Sequence, residues 1–239
     1  MATTTYEKQL GFNALTRWLH SHRYRHAINV LSSMQEPIRV MEIGCSEGKL
    51  FDVLNERFDI DYVGVELRHE AVEMARARHA GVSNFQVYEQ SAVTLPPTKP
   101  DVIFALETLE HIPEHDVVRI VEAVAAIRPK LFVCSVPIEV GPAIWLKNVG
   151  SLVCGYNRHR EYTWAETFAA GLYQLNRLPA HDTGHKGFDW RWLAQTIRHN
   201  MRIVKLRHLP LPFLPTAMST NMFMVAAPQM EVDRATWSR

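Results

Sequence analysis

The densest chemistry in the chain lies in one pentapeptide, E-T-L-E-H, where Glu107, Glu110 and His111 fall together. On a turn of helix, carboxylates at i and i+3 share a face, and the imidazole stands beside them. Two carboxylates and an imidazole can ligate a divalent cation, or the imidazole can take a proton from a hydroxyl. A role for His111 in closing the loop is equally compatible with the sequence. More imidazoles follow in H-D-T-G-H-K-G-F-D-W, where His181 and His185 precede a helix that Asp189 can cap.

Strands and turns must bring these residues to one place. Asp101 to Leu106 reads D-V-I-F-A-L, a nearly continuous apolar run of the kind buried in parallel sheets, and it delivers Glu107 at its end. Earlier, Val40 to Gly48 reads V-M-E-I-G-C-S-E-G, a short apolar run ending in Glu42 and then a turn through Gly44 and Gly48. Leu50, Phe51, Val53 and Leu54 follow at helical spacing, so the stretch is predicted as strand, glycine turn and helix start. Glycine there permits positive φ and lets a ligand approach the backbone, and the helix start offers free N–H groups. Ordinary strand-to-helix turns use glycine too. The next β-prone run, Asp61 to Glu66, ends in an acid roughly 20 residues on, where open α/β sheets hold the two hydroxyls of a ribose.

The rest of the chain alternates in the same way. A helix is predicted over His69 to His79, a strand over Phe85 to Tyr88, a loop at Leu95 to Pro100, a helix over Val117 to Ile127 and a strand over Lys130 to Pro137. Arg202 to Leu206 and Asn221 to Ala227 are expected to form an antiparallel pair. Alternation of this sort predicts an α/β fold with a Rossmann-like, doubly wound, mostly parallel sheet and an antiparallel last strand. Residues 1–36 are expected to form an N-terminal helical segment, with helix over Leu10 to Met34. His20, His22, Arg23, Arg25 and His26 would form a solvated basic face there. The domain proper is placed at 37–228 and a loose tail at 229–239.

Between strand five and Gly184 the connection is too long for a simple crossover, so residues 138–184 are read as a helical lid inserted over the ligand edge. The lid would hold an apolar stretch, Ala143 to Cys154, and a basic and aromatic one, Tyr156 to Trp164, with Arg158, His159 and Arg160.

Composition narrows the classes. With 239 residues, 47% hydrophobic content and net charge +1, the chain can bury a full core and shows no sign of a dedicated polyanion binder. Cys45, Cys134 and Cys154 form no C-x-x-C pair, which excludes a zinc knuckle and favours reduced thiols in the cytoplasm. No run is long enough to span a membrane, and no apolar signal core opens the sequence.

Glu42, Gly44, Gly48 and Glu66, with the strands that follow, resemble the class I S-adenosylmethionine-dependent methyltransferases over about Met34 to Ala227. Dinucleotide-binding dehydrogenases would need a third glycine at a spacing this loop lacks. The resemblance implies that S-adenosyl-L-methionine lies against Glu42, Gly44, Cys45, Ser46, Gly48, Glu66, Leu67, Gln90, Ser91, Leu106 and Glu107. Glu66 would hold the ribose, and Gln90 and Ser91 stand where an adenine-contacting Asp is frequent. Ser46 replaces the usual middle glycine.

Within that family, E-x-x-E-H followed by His185, Phe188 and Trp190 is similar to two metal-assisted O-methyltransferase groups. One acts in ubiquinone synthesis, and the other methylates the 3′-terminal 2′-hydroxyl of small RNAs. This implies Mg2+ held by Glu107, Glu110, His111 and His185; without a cation, His111 or His185 is the candidate catalytic base, as the side chains that titrate nearest neutrality. Ile112 stands where many RNA-directed members have a further His. The expected activity is O-methylation of a small-molecule, sugar or lipid-linked acceptor, with an RNA 3′ end as the alternative. A non-catalytic scaffold protein is the rival class, and the oligomeric state is left open.

Overall fold

Strands that are apolar on both faces need helices on both sides, and the central strands of this chain are arranged that way. The computed structural model describes residues 14–145, 147–148, 162–179, 181, 184–209, 215–216 and 219–229. Its strands are β1 (Ile38–Ile43), β2 (Ile60–Glu66), β3 (Phe85–Glu89), β4 (Val102–Leu106), β5 (Leu131–Pro137), β6 (Met201–Leu209) and β7 (Asn221–Pro228). They form one seven-stranded sheet in the order β3-β2-β1-β4-β5-β7-β6. β1 to β5 run parallel, and β7 lies antiparallel between β5 and β6.

The helices are α1 (Ala14–Leu31), α2 (Lys49–Asn55), α3 (His69–Arg78), α4 (Glu114–Ile127), α5 (Trp164–Gly171) and α6 (Trp190–Asn200). One face of the sheet packs on Ile120, Val121 and Val124 of α4 and Leu193 and Ile197 of α6. The other packs on Ala27 and Leu31 of α1 and Leu50, Phe51 and Leu54 of α2. This is the Rossmann-like sheet expected from the alternation, with strand and helix bounds within a few residues of those read from the sequence.

Strand order reverses between β1 and β4, which opens a crevice at the carboxyl ends of those strands. The turn after β1 and the turn after β4 meet there. Gly44 has φ +73° and donates its N–H to the Val65 carbonyl at 2.8 Å. A Cβ on Gly44 would lie 2.3 Å from Cγ2 and 2.5 Å from Oγ1 of Thr108. Gly48, at φ +78°, likewise makes room for the His79 ring. The space these glycines leave is filled by protein side chains, so their first service is to bring turns together rather than to admit a ligand.

Three expectations need correction or restriction. The N-terminal basic residues do not form one solvated face: His22 is buried, Arg23 and His26 are half-buried, and the His26 ring lies 5.1 Å from that of Phe223. His20 lies where only the helical backbone is described. Of the insertion at 138–184, Ile138, Val140 and Ile144 are core residues, and Ile144 joins Tyr162 and Ala170 in a small cluster of its own. Val149 to Cys154, Tyr156 to Arg160 and the tail beyond Gln229 lie outside the described residues.

Gly44→Ala is expected to cost about 1–3 kcal/mol in urea unfolding, from left-handed strain plus the clash with Thr108. Adding Thr108→Ala should recover part of that loss; strictly additive costs would show that the two turns do not press on each other.

Candidate active site

Glu42 ends β1 inside the fold, 5% exposed, and its carboxyl accepts a hydrogen bond from the Tyr62 hydroxyl of β2. Burial pushes it up to about 8, against a partial opposing effect of the Tyr62 bond. The loop above it runs through Cys45, whose thiol is buried against Gly64, and Ser46, at φ +49°. Cys45 thus offers the site only its backbone, and burial drives its thiol well above the ordinary range.

Glu66 ends β2, 7% exposed, and closes over the same loop. Its Oε2 accepts the Ser46 N–H at 3.0 Å, and its Oε1 accepts the Arg68 N–H at 3.0 Å and Nε–H at 3.2 Å. Leu67 beside it is 69% exposed. Gln90 donates its backbone N–H to the Glu66 carbonyl, and its side-chain amide is turned to the Thr94 carbonyl in its own turn. The Ser91 hydroxyl accepts the Val93 N–H at 3.4 Å. Glu66 therefore binds the loop that follows Glu42, while Gln90 and Ser91 are engaged within their own turn.

At the end of β4, Leu106 is buried and Glu107 takes φ +54°, an uncommon left-handed conformation for a non-glycine residue. Its Oε1 accepts the Ser135 hydroxyl at 2.7 Å and its Oε2 the Asn221 amide at 2.6 Å. Partners from β5 and β7 thus fix this carboxylate. Leu109–His111 form a single 3-10 turn. It carries Glu110 to a fully buried place where neither carboxyl oxygen has a hydrogen-bond partner. Burial, then the Glu107 charge, pushes Glu110 well above the carboxylate range.

His111 points outward with 51% of its side chain exposed. Burial of the rest and then the charge of His185 hold it below the ordinary histidine value. Its ring meets that of His185 edge to face, with centroids 4.9 Å apart. His185 sits between Gly184 and Gly187, both at positive φ. Tyr162 pins this loop: its hydroxyl accepts the Gly187 N–H at 2.9 Å and lies 3.4 Å from the His185 carbonyl. Lys186 also pairs with Glu166 at 2.8 Å. Asp189 caps α6 as expected, accepting the Arg191 N–H.

The four residues read as Mg2+ ligands are thus neighbours in part. The Glu110 carboxyl is 3.9 Å from His111 Nε2, and His185 Nδ1 is buried without a partner. Glu107, however, is turned to Ser135 and Asn221. Among the described residues no group of three His, Cys, Asp or Glu side chains converges as cation ligands do.

Ser135, Asn221, Tyr62, Tyr162 and Arg68 were missed from the sequence. Only Ser135, a lone hydroxyl within L-F-V-C-S-V-P, gave a local signal.

Comparison with known proteins follows the same lines. A family model described as a methyltransferase domain matches residues 15–177. No curated protein matches the chain in sequence. Among solved structures, the methyltransferase domain of bacterial CtHen1 is 15% identical with TM-score 0.60, over 87% of this chain and 99% of that one. Magnesium protoporphyrin IX methyltransferase from Synechocystis, solved with bound SAH, is 13% identical with TM-score 0.62, over 91% and 89%. The N-methyltransferase NodS from Bradyrhizobium japonicum is 12% identical with TM-score 0.57, over 88% and 97%.

Glu42 gives a pH test of this geometry. A carboxyl raised from 4.5 unfolded to about 8 folded binds its proton more tightly in the native state, so stability is lost as pH rises through that interval. Glu42→Gln keeps the acceptor for Tyr62 and cannot ionise. Its melting temperature relative to the native protein should rise between about pH 5 and pH 8 and level off above that; a flat difference across the interval would contradict the buried, proton-holding Glu42.

Proposed function

The chain belongs to the methyltransferase-domain family and is a class I S-adenosylmethionine-dependent methyltransferase; from that premise we propose that it methylates a hydroxyl of a small-molecule, sugar or lipid-linked acceptor in the cytoplasm. The observation that carries this reading is the edge-to-face pair of His111 and His185, 4.9 Å apart at the carboxyl end of β4. Among the described residues no helix is long and apolar enough to cross a membrane.

S-adenosylmethionine supplies an activated sulfonium methyl, so the protein's tasks are to hold the acceptor in line, exclude water and receive one proton. In this reading Glu42, the 44–48 loop, Glu66, Leu67 and the Gln90–Ser91 turn hold the cofactor. His111, kept neutral by burial and by His185, accepts the hydroxyl proton on a ring nitrogen as the oxygen–carbon bond forms and the sulfur–carbon bond breaks. His185 holds the His111 ring and keeps its basicity low enough for the proton to leave again. Mg2+ would be held by Glu107, Glu110, His111 and His185, but among the described residues no three such side chains converge, and Glu107 is turned to Ser135 and Asn221. A net charge of +1 favours an uncharged acceptor over an RNA strand.

The test is transfer of labelled methyl from the cofactor to a panel of phenols, sugars, polyprenyl-linked hydroxyls, amines and an RNA 3′ end, each with Mg2+ or with a chelator. Methyl ethers should form, and His111→Asn should lower kcat by about 10²–10⁴. The acid limb of the native profile should lie below pH 6.5 and move upward in His185→Gln. Exclusive N-methylation, or an unchanged kcat in His111→Asn, would overturn the reading, and transfer confined to RNA would replace the acceptor class.

A further inference from the structure

Glu66 is the acid on which the ribose reading depends, yet most of its hydrogen-bonding capacity is already used. A carboxylate offers about four lone-pair sites, two on each oxygen. On Oε1 both are taken, by the backbone N–H of Arg68 at 3.0 Å and by its Nε–H at 3.2 Å. On Oε2 one is taken, by the Ser46 N–H at 3.0 Å. A single site remains, whereas gripping the vicinal 2′- and 3′-hydroxyls of a ribose with both oxygens needs one on each.

Two of the three occupying donors are backbone groups set by the turns, and the third is the only side chain among them. The Arg68 guanidinium reaches further, donating to the Ser46 hydroxyl at 3.3 Å, so it lies across the loop from Glu66 to Ser46. It does so with 68% of its side chain exposed, against 8% for Glu66. An exposed arginine can leave; a buried carboxylate cannot.

We propose that Arg68 is an intramolecular occupant of the ribose seat, whose guanidinium must release Glu66 Oε1 before a vicinal diol is held by both carboxylate oxygens. The proposal rests on the reading of Glu66 as the ribose-binding acid. Arg68 then sets cofactor affinity by competition: the free protein carries a cation on Glu66, and binding exchanges it for two neutral hydroxyls. An exposed ion pair of this kind is weak and screened by salt, so the competition is modest and responds to ionic strength.

Calorimetric titration of S-adenosylhomocysteine, which has no net charge near neutral pH, tests this on the full chain at about 50 mM and about 500 mM NaCl. Arg68→Ala should bind about two- to fivefold more tightly than the native protein at low salt. Native affinity should rise with salt and approach that of the variant, whose own affinity stays flat. Glu66→Ala is the control for the underlying reading and should lose most of the binding. Unchanged or weaker binding by Arg68→Ala, with Glu66→Ala still defective, would overturn the competing role and leave the ribose seat in place. Undiminished binding by Glu66→Ala would overturn the seat and the proposal together.

Discussion

The approach of two turns, one after β1 and one after β4, is the constraint on which the rest of the site depends. Gly44 and Thr108 sit so close that no Cβ fits between them. This contact brings the Ser46 loop, which Glu66 binds, alongside the 3-10 turn of Glu110 and His111. The sheet order makes the contact available, because β1 and β4 are neighbours whose crossovers leave in opposite directions. In the proposed mechanism a shift of an ångström between the two turns would separate methyl donor from base.

Acidic side chains are treated differently at each point of the site, and the differences follow burial. Glu42 is enclosed beneath the loop with one hydroxyl donor and keeps its proton to about 8. Glu110 is enclosed with no donor, and burial drives it well above the carboxylate range. Glu66 and Glu107, by contrast, are met by several donors, from Ser46 and Arg68 in one case and Ser135 and Asn221 in the other. The described part of the insertion adds its own control, since Tyr162 and Glu166 hold the loop that presents His185.

Much of this was legible in the sequence, for physical reasons. Apolar runs such as V-I-F-A-L at β4 have one stable environment, so strand and sheet class followed from composition and alternation. Acids at the ends of β1 and β2 could be placed by position alone. Long-range hydrogen bonds could not: Asn221 reaches Glu107 across 114 positions, and nothing near Asn221 announces it. The glycines were read correctly as a turn, but their space goes to Thr108 and His79, which only packing reveals. The E-x-x-E-H spacing suggested two carboxylates on one helical face; the 3-10 turn instead buries Glu110 and leaves Glu107 to Ser135 and Asn221.

The most direct test of the account is hydrogen–deuterium exchange of the full chain with and without S-adenosylhomocysteine. Cofactor binding at the carboxyl ends of β1 and β2 predicts slowed exchange in peptides covering residues 44–50 and 64–70, with β6 at the sheet edge unchanged. Binding with protection elsewhere and none in those two segments would contradict it.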